Sequence, residues 1–432
     1  MRKVNIGLVG CGTVGSGVVQ GLARNGSLMG SRLGVKLSLA GVAVRNAGKA
    51  RAARVAKRLI TTDWESLVRD PKIDVVMELM GGTTTARKVV AEALKLGKPV
   101  ITANKALISA HGESIFRQVE KNGGNLYYEA AVAGGIPIIK SLREGLSGNR
   151  IQRLYGILNG TCNYILTQME AEGRDFEDIL VDAQRMGYAE AEPSLDVYGF
   201  DAQHKAGILA SLAHGFWIKP SQIFVEGIRH ITTLDIEFAR RMGYCIKLLG
   251  IVKKLGGKVQ IAVHPALVPE KHVLANVSGV YNAILVRGDI VGDTLHYGQG
   301  AGADATASAV LSDLADAALD LKNGSMGRVP PFVPHEEEGS VLPMDKAVSP
   351  FYLRLSVIDR PGTLAKIATI LGEAKIGICS VMQPEGHVGE SVPLIMMLHD
   401  APDAAMQKAL KRIARLSAVK AKPTMIRVEN FD

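Results

Sequence analysis

The amino-acid sequence predicts an α/β protein built from more than one domain, and three observations support this prediction. The 432 residues exceed what a single hydrophobic core usually supports. Short apolar strands alternate with helical patterns along the first half, and a glycine-rich turn joins the first strand to the first helix. A proline-rich stretch over residues 322–350 then precedes a final segment in which strands and helices alternate again.

The composition is typical of a soluble globular protein, with 47% hydrophobic and 22% charged residues. The net charge is +9, but the basic residues are spread along the chain and only 5% of residues are aromatic. We therefore expect neither nucleic acid nor a membrane as a partner. The four cysteines form no CxxC pair, and no apolar run approaches the ~18 residues that span a bilayer. These features favour a cytoplasmic location.

The glycine-rich turn predicts a bound dinucleotide. A short apolar strand over residues 3–9 runs directly into Gly-Cys-Gly-Thr-Val-Gly, and helical spacing follows. This order is typical of a Rossmann dinucleotide-binding domain, which we expect over residues 1–131. The first glycine permits the tight turn, the second lets a pyrophosphate approach, and the third lets helix and strand pack closely. A turn without any ligand is the alternative. The predicted cofactor contacts here are Gly10, Gly12, Thr13, Val14 and Gly15.

Two further strands end in basic residues. The strand over residues 37–44 is followed by Arg45, where an NAD-selective site usually carries an acid. A guanidinium suits a 2′-phosphate, so NADP is favoured over NAD, although a solvated basic helix face is the competing interpretation. The strand over residues 99–102 leads to Lys105, which can reach cofactor or substrate because ligands bind at the carboxyl ends of parallel strands. A solvated surface charge is the alternative for Lys105.

Residues 187–205 place four acids within twelve residues of a basic protein. A helix predicted from about Asp201 puts Asp201 and Lys205 four residues apart on one face. An aldehyde that is reduced by hydride needs an acid for the developing alkoxide, and a lysine beside carboxylates can supply the proton. Other carboxylates of this segment can hold a substrate ammonium. The alternative is an ordinary surface pair that contributes ~0.2–0.5 kcal/mol.

These residues make the sequence resemble the homoserine dehydrogenase family over essentially the whole chain. The resemblance implies reversible reduction of L-aspartate 4-semialdehyde to L-homoserine, a step of threonine, methionine and isoleucine biosynthesis. It implies that Lys205 is the general acid, that Glu190 and Asp201 bind substrate, and that Lys105 is a catalytic lysine linked to the cofactor. The segments that carry the resemblance are Gly10–Gly15, Thr102–Lys105, Glu129–Gly135, Ile157–Tyr164 and Gly187–Lys205.

The resemblance implies three further features. A monovalent cation such as sodium is expected in the region of Glu129, Val132, Gly134 and Ile136, where backbone oxygens suit a hard cation. Gly302 is expected to approach the cofactor, as the chain returns to the nucleotide domain over about residues 303–320. Residues 132–302 are then an α+β substrate and dimerisation domain, in a homodimer or homotetramer.

The tail predicts a separate regulatory domain. Residues 322–350 have the composition of a linker, and residues 351–432 follow a βαββαβ order with an Arg-Pro-Gly turn at 360–362. This order resembles an ACT domain, a small-molecule sensor that usually pairs with a second copy. The resemblance suggests threonine as the effector, and a domain that serves only in assembly is the alternative.

Two other functions remain open at this point. One is a different NAD(P) oxidoreductase of amino-acid aldehydes or imines. The other is a nucleotide-sensing regulator without catalysis, which predicts that Glu190, Asp201 and Lys205 are dispensable. Reduction of NADP⁺ by L-homoserine distinguishes both from the main hypothesis.

Overall fold

The computed structural model describes residues 1–47, 54–384 and 389–431. Within these residues, no helix is both long and apolar enough to cross a membrane. The chain folds into two compact units that are interleaved along the sequence. The first unit comprises Met1–Leu154, His204–Ser221 and Asn282–Gly339, and the second comprises Tyr155–Gln203, Gln222–Tyr281 and Ser340–Asp432. Each unit is therefore assembled from three separate segments. The predicted domain boundaries stay predictions.

The first unit contains the predicted parallel sheet. Its elements are β1 (Arg2–Val9), α1 (Thr13–Leu33), β2 (Val35–Ala43), β3 (Ile60–Thr61), α2 (Trp64–Arg69), β4 (Val75–Glu78), α3 (Thr84–Lys95), β5 (Val100–Thr102), α4 (Lys105–Asn122) and β6 (Leu126–Tyr127). The six described strands lie in the order β3-β2-β1-β4-β5-β6. The central strands β1, β4 and β5 are largely buried and rich in branched apolar residues, as expected for a sheet covered on both faces. This confirms the Rossmann-like α/β fold.

The middle of the chain contributes segments to both units. Its elements are α5 (Ile138–Lys140), which continues as a π-helical turn at Ser141–Gly145, then β7 (Ile151–Ile157), α6 (Gly160–Glu172), α7 (Phe176–Arg185), α8 (Ser194–Val197), α9 (Phe200–His214), β8 (Phe224–Val225), α10 (Thr233–Arg241), β9 (Tyr244–Leu255), β10 (Lys258–Pro269), β11 (Tyr281–Gly288), β12 (Gly292–Gln299) and α11 (Ala303–Asn323). Three of the five boundaries between the units fall within β7, α9 and β11.

Helices α1 and α11 pack against each other within the first unit. Glycines permit this approach, because a Cβ at Gly17 would lie 2.7 Å from the carbonyl oxygen of Ala303, and one at Gly21 would lie 2.8 Å from Leu311. The segment after residue 302 therefore joins the unit that carries the glycine-rich turn.

The last part of the second unit has the predicted βαββαβ order. It comprises β14 (Val348–Ile358), α12 (Thr363–Glu373), β15 (Ile378–Met382), β16 (Ser391–Pro402), α13 (Asp403–Ile413) and β17 (Thr424–Val428), preceded by β13 (Val341–Leu342). The four strands lie in the order β17-β14-β16-β15, with antiparallel pairing, over a core of their own.

This C-terminal sheet is continuous with the middle of the chain. Strand β17 pairs in parallel with β10, which itself forms an antiparallel hairpin with β9. The residues expected as a linker are partly structured, because α11 extends to Asn323 and β13 also pairs with β10. The apolar residues Val341 and Leu342 form this short strand between the prolines. Composition alone does not reveal it.

Candidate active site

The glycine-rich turn has the backbone that the sequence predicts. Gly10 has a φ of 97°, and a Cβ there would lie 2.6 Å from the carbonyl oxygen of Leu79. A Cβ at Gly15 would lie 2.4 Å from the carbonyl oxygen of Gly10, so turn and helix pack closely. Among the described residues, no atom beyond the adjacent residues lies within 4 Å of the Cβ position at Gly12, which precedes α1 without a side-chain cap. The exposed Thr13 and half-buried Val14 begin the helix. An anion can therefore approach the free N–H groups of its first turn.

Arg45 is exposed two residues after the end of β2, at the carboxyl end of the parallel sheet. This end also carries the glycine-rich turn, because β1 and β2 are neighbours. Part of the basic run that follows Arg45 in the sequence falls at residues 48–53, outside the described residues. The location of Arg45 is compatible with contact to a phosphate on an adenosine ribose.

A buried carboxyl group that the sequence analysis missed lies between β1 and β5. Glu78 is the last residue of β4 and is fully buried. It accepts hydrogen bonds from the Met80 N–H (2.8 Å) and the Thr102 hydroxyl (2.7 Å). Burial raises the pKa of Glu78 to about 7. The available sequence signal was an acid that ends an otherwise apolar strand.

Lys105 is half-buried and is the first residue of α4. Asn104 fixes this helix start, because its side-chain oxygen accepts the N–H of Leu107 at 3.0 Å. The Asn104 amide also donates to the carbonyl oxygen of Gly82 at 2.7 Å, so the loops after β4 and β5 are joined.

Gly302 stands at the start of α11 with a φ of 110°. Apart from its chain neighbours, no described residue has an atom within 4 Å of its Cβ position, so the space beside this glycine is open. Because α11 packs on α1, the structure brings Gly302 into the same unit as Gly10, Gly12 and Gly15.

The side chain of Glu129 serves a structural purpose in the segment where a cation was expected. Its two carboxylate oxygens accept the N–H groups of Ile139 (2.9 Å) and Lys140 (2.7 Å), and its own N–H donates to Asp313 (2.9 Å). Burial raises the pKa of Glu129 to about 7 and that of Asp313 well above its usual range. Both carboxylate oxygens of Glu129 are therefore engaged, and its backbone oxygen accepts the Val132 N–H at 3.3 Å.

The backbone between these residues turns sharply. Ala133 and Gly134 both have positive φ values, 53° and 35°, and a Cβ at Gly134 would lie 2.7 Å from the carbonyl oxygen of Gly300. Val132 and Gly134 are buried, and no described N–H donates to either carbonyl group. The carbonyl of Ile136 accepts the N–H of Ile138 at 2.8 Å. Buried carbonyls without donors fit a hard cation. The described residues contain no group of three or more His, Cys, Asp or Glu side chains arranged to bind a metal.

The acidic segment is organised by Asn159, which lies immediately before α6. Its side-chain oxygen accepts the Cys162 N–H (2.8 Å), so Asn159 caps this helix. Its amide nitrogen donates to Asp196 (2.7 Å) and to Asp201 (2.9 Å). One neutral side chain therefore holds two carboxylates in place, and Asp201 is only 7% exposed.

The remaining predicted residues differ in exposure. Glu190 is exposed in the loop between α7 and α8, where its backbone oxygen accepts a hydrogen bond from Gln184 at 3.1 Å. Asp201 and Lys205 lie in the first two turns of α9, and Lys205 is only 7% exposed. Such burial is rare for lysine, and it distinguishes Lys205 from an ordinary surface charge.

Comparisons with known proteins identify the family of the chain. The sequence profile of the homoserine dehydrogenase NAD-binding domain matches residues 10–129, and that of homoserine dehydrogenase matches residues 137–315. A homoserine dehydrogenase of Pseudomonas aeruginosa is 42% identical over 436 aligned positions, which cover 100% of both chains.

Solved structures give the same result. The structure of a homoserine dehydrogenase from Thiobacillus denitrificans superimposes with a TM-score of 0.95 at 43% identity, covering 100% of this chain and 99% of that one. A hyperthermophilic archaeal homoserine dehydrogenase in complex with NADPH is 28% identical, with a TM-score of 0.62, over 74% of this chain and 98% of that one. The chain therefore belongs to the homoserine dehydrogenase family, the NAD(P)-dependent oxidoreductases that act on the CH–OH group of homoserine.

Proposed function

We propose that Lys205 is the proton donor for the reduction of L-aspartate 4-semialdehyde to L-homoserine, and that Glu190 and Asp201 bind the substrate ammonium. The observation that carries this proposal is the single helix α9, which presents a buried lysine one turn after a buried carboxylate. A carboxylate held by Asn159 keeps its position when a cationic substrate binds, so little orientation entropy is lost.

The proposed chemistry is a proton transfer coupled to hydride transfer. The nicotinamide, when bound, supplies the hydride for the aldehyde carbon. The ammonium of Lys205 then donates its proton to the developing alkoxide oxygen, and in the oxidation direction the neutral amine accepts it. Asp201 and Glu190 neutralise the substrate ammonium and orient the reacting carbon.

The test is the oxidation of L-homoserine, followed by the absorbance of the reduced cofactor. We expect Lys205→Ala to lower turnover by roughly 10²–10⁴ with little change in cofactor affinity, because only the proton donor is lost. Lys205→Arg keeps the charge but cannot readily release a proton, so it should be equally slow. The exposed Lys95→Ala on α3 is the control and should retain full activity. Near-normal turnover of Lys205→Ala would refute the assignment.

For the cofactor, we propose NADP rather than NAD. The supporting residues are the open Gly12, the exposed Arg45, the helix start at Lys105 and the open space beside Gly302. The archaeal relative in complex with NADPH supports the same choice. Gly12 and the first turn of α1 would hold the pyrophosphate, and Arg45 the 2′-phosphate.

We further propose a monovalent cation held by the backbone oxygens of Glu129, Val132, Gly134 and Ile136. The absence of N–H donors to two of these carbonyls, within the described residues, supports this site. We expect sodium chloride to raise the thermal midpoint more than choline chloride at equal ionic strength. Equal midpoints in the two salts would contradict the proposal.

Finally, we propose that the C-terminal βαββαβ segment is an ACT domain that binds threonine, in a homodimer or homotetramer. A cavity of about 350 Å³ lies beside the predicted turn, and it is lined by residues from Val357 to Leu364 with Gln383 and Leu394. Threonine, but not leucine, should raise the thermal midpoint and inhibit homoserine oxidation. No response to threonine in either measurement would leave assembly as the alternative. The cytoplasmic location stays a prediction.

A further inference from the structure

Glu78 occupies a central position at the carboxyl end of the parallel sheet. Its neighbours in register are Val9 on β1 and Thr102 on β5, so it lies between the strands that lead to the glycine-rich turn and to α4. The carboxyl group is fully buried, at the edge where dinucleotides bind in open parallel sheets. A buried acid at this location requires a structural or functional reason, because burial penalises its charge.

On one side, Glu78 holds the backbone that supports the glycine-rich turn. Its Oε1 accepts the Met80 N–H at 2.8 Å. The same peptide group is what Gly10 packs against, because a Cβ at Gly10 would lie 2.7 Å from the Leu79 carbonyl carbon and 2.9 Å from the Met80 nitrogen. A shift of this peptide therefore displaces the turn directly.

On the other side, Glu78 holds the start of α4. Its Oε2 accepts the Thr102 hydroxyl at 2.7 Å, and the Thr102 oxygen in turn accepts the Asn104 N–H at 3.0 Å. Asn104 caps α4 immediately before Lys105. Three consecutive hydrogen bonds thus connect the carboxylate to the helix turn that presents Lys105.

The surroundings of Glu78 hold the carboxylate without a cation. Every described group that lowers its pKa is a neutral donor, namely the Thr102 hydroxyl, the Met80 N–H and the Asn104 side chain. The neighbouring strand positions, Val9 and Thr102, add no charge. Desolvation outweighs these donors and raises the pKa of Glu78 to about 7. The carboxyl group therefore changes its charge within the working range of an enzyme.

We propose that Glu78 is a positioning residue for the nicotinamide cofactor, which fixes the glycine-rich turn and the helix start at Lys105 relative to each other. The proposal rests on the cofactor role given above to these two elements. The ionised carboxylate accepts both donors at once, whereas the protonated group presents one hydroxyl oxygen, which is a poor acceptor. Cofactor affinity should therefore fall as the pH decreases through about 7.

The experiment measures the dissociation constant of NADPH by fluorescence titration between pH 6 and 8.5, with the KM of homoserine beside it. Glu78→Gln keeps the size of the side chain and one acceptor but removes the charge. We expect about tenfold weaker NADPH binding at pH 8, the equivalent of one charge-assisted hydrogen bond, and no inflection near pH 7. The KM of homoserine should change by less than about twofold, since the substrate acids lie on other elements.

Two further variants complete the design. Thr102→Val removes the hydroxyl and should also weaken NADPH binding, by a similar factor. The exposed Glu65→Gln on α2 removes the same charge from the surface of the same unit and should leave both constants unchanged. All variants are compared at equal fraction folded, as judged by their thermal midpoints.

An unchanged NADPH affinity in Glu78→Gln, or an inflection near pH 7 that persists in this variant, would overturn the proposal. Equal weakening of NADPH binding and of the KM for homoserine would also overturn it, because a general distortion of the folded enzyme then explains both. Failure of the role given to Lys105 is distinguishable: Lys105→Ala would then bind NADPH normally, while Glu78→Gln would still act through the glycine-rich turn.

Discussion

Replacement of Asn159 tests how the acidic segment is organised. This side chain makes three hydrogen bonds: one caps α6 at Cys162, and two hold Asp196 and Asp201. A lost cap costs about 1 kcal/mol of unfolding free energy. The hydrogen bond to buried Asp201 has a charged acceptor and contributes about 1.5–3 kcal/mol. At half-buried Asp196, water can replace the lost hydrogen bond, so we count no cost there. Asn159→Ala should therefore cost about 2.5–4 kcal/mol.

Two substitutions separate the cap from the carboxylate contacts. Serine caps helices well but does not reach both acids, so Asn159→Ser should cost about 1 kcal/mol less than Asn159→Ala. Both variants release Asp201, so both should lose the same factor in kcat/KM for homoserine. A loss of 1.5–3 kcal/mol corresponds to roughly 10–150-fold. The assays are urea unfolding and steady-state oxidation of homoserine.

Asn163, one turn later in α6, provides the matched control. Its amide donates to the backbone oxygens of Val277, Gly279 and Tyr281, and to no acid. Asn163→Ser should therefore lower stability but keep kcat/KM within about threefold. If Asn159→Ser kept kcat/KM within threefold, or if Asn163→Ser lost as much activity, Asn159 would not position the substrate acids.

Three other predictions concern charge. Arg45→Ala should weaken NADPH about tenfold and NADH by less than twofold in fluorescence titrations, because only NADPH carries the 2′-phosphate, and equal losses would contradict this role. Burial and the nearby Arg427 lower the pKa of His264 well below its usual value. The unfolded state therefore binds the proton more tightly, and the free energy of unfolding decreases as the pH is lowered from about 6.5. His264→Gln should reduce the difference in unfolding free energy between pH 5 and pH 7.5, measured by urea unfolding. An unchanged difference would mean that another group takes up the proton. Arg427→Met leaves the buried Asp403 unpaired and should cost about 3–5 kcal/mol, whereas the exposed Arg412→Met should cost under about 0.5 kcal/mol.

The sequence was most informative where the backbone conformation or a close backbone contact allows only one residue type. The glycine-rich turn was predictable because the positive φ of Gly10 and the close approach at Gly15 both require glycine. The start of helix α6 depends on an equally local contact, because the side chain of its cap residue Asn159 accepts the N–H of Cys162, three residues later. Such requirements are local, so a single segment of sequence reveals them.

Contacts between distant segments were not predictable. Glu78 and Thr102 are 24 positions apart, and Asn159 and Asp201 are 42 positions apart. Residues this far apart in the sequence are not neighbours within one helix or one strand. Glu78 and Thr102 meet because β4 and β5 pair in register, and Asn159 and Asp201 meet through tertiary packing. The charged residues of the acidic segment could therefore be predicted, whereas Glu78 and the neutral partners Thr102 and Asn159 could not. The order and register of strands in a sheet are the missing information.

The C-terminal segment shows the same limit. Its composition predicted a domain on a linker, but β17 pairs with β10, and Arg427 on β17 forms ion pairs with both Asp403 and Glu226. Arg354 on β14 similarly pairs with Asp235, the residue that completes the capping box of α10. Removing one partner of a buried ion pair costs about 3–5 kcal/mol, so these pairs hold β14 and β17 against the middle segments of the second unit. Tertiary pairing of this kind, which composition does not reveal, places the C-terminal strands in the unit that contains Asp201.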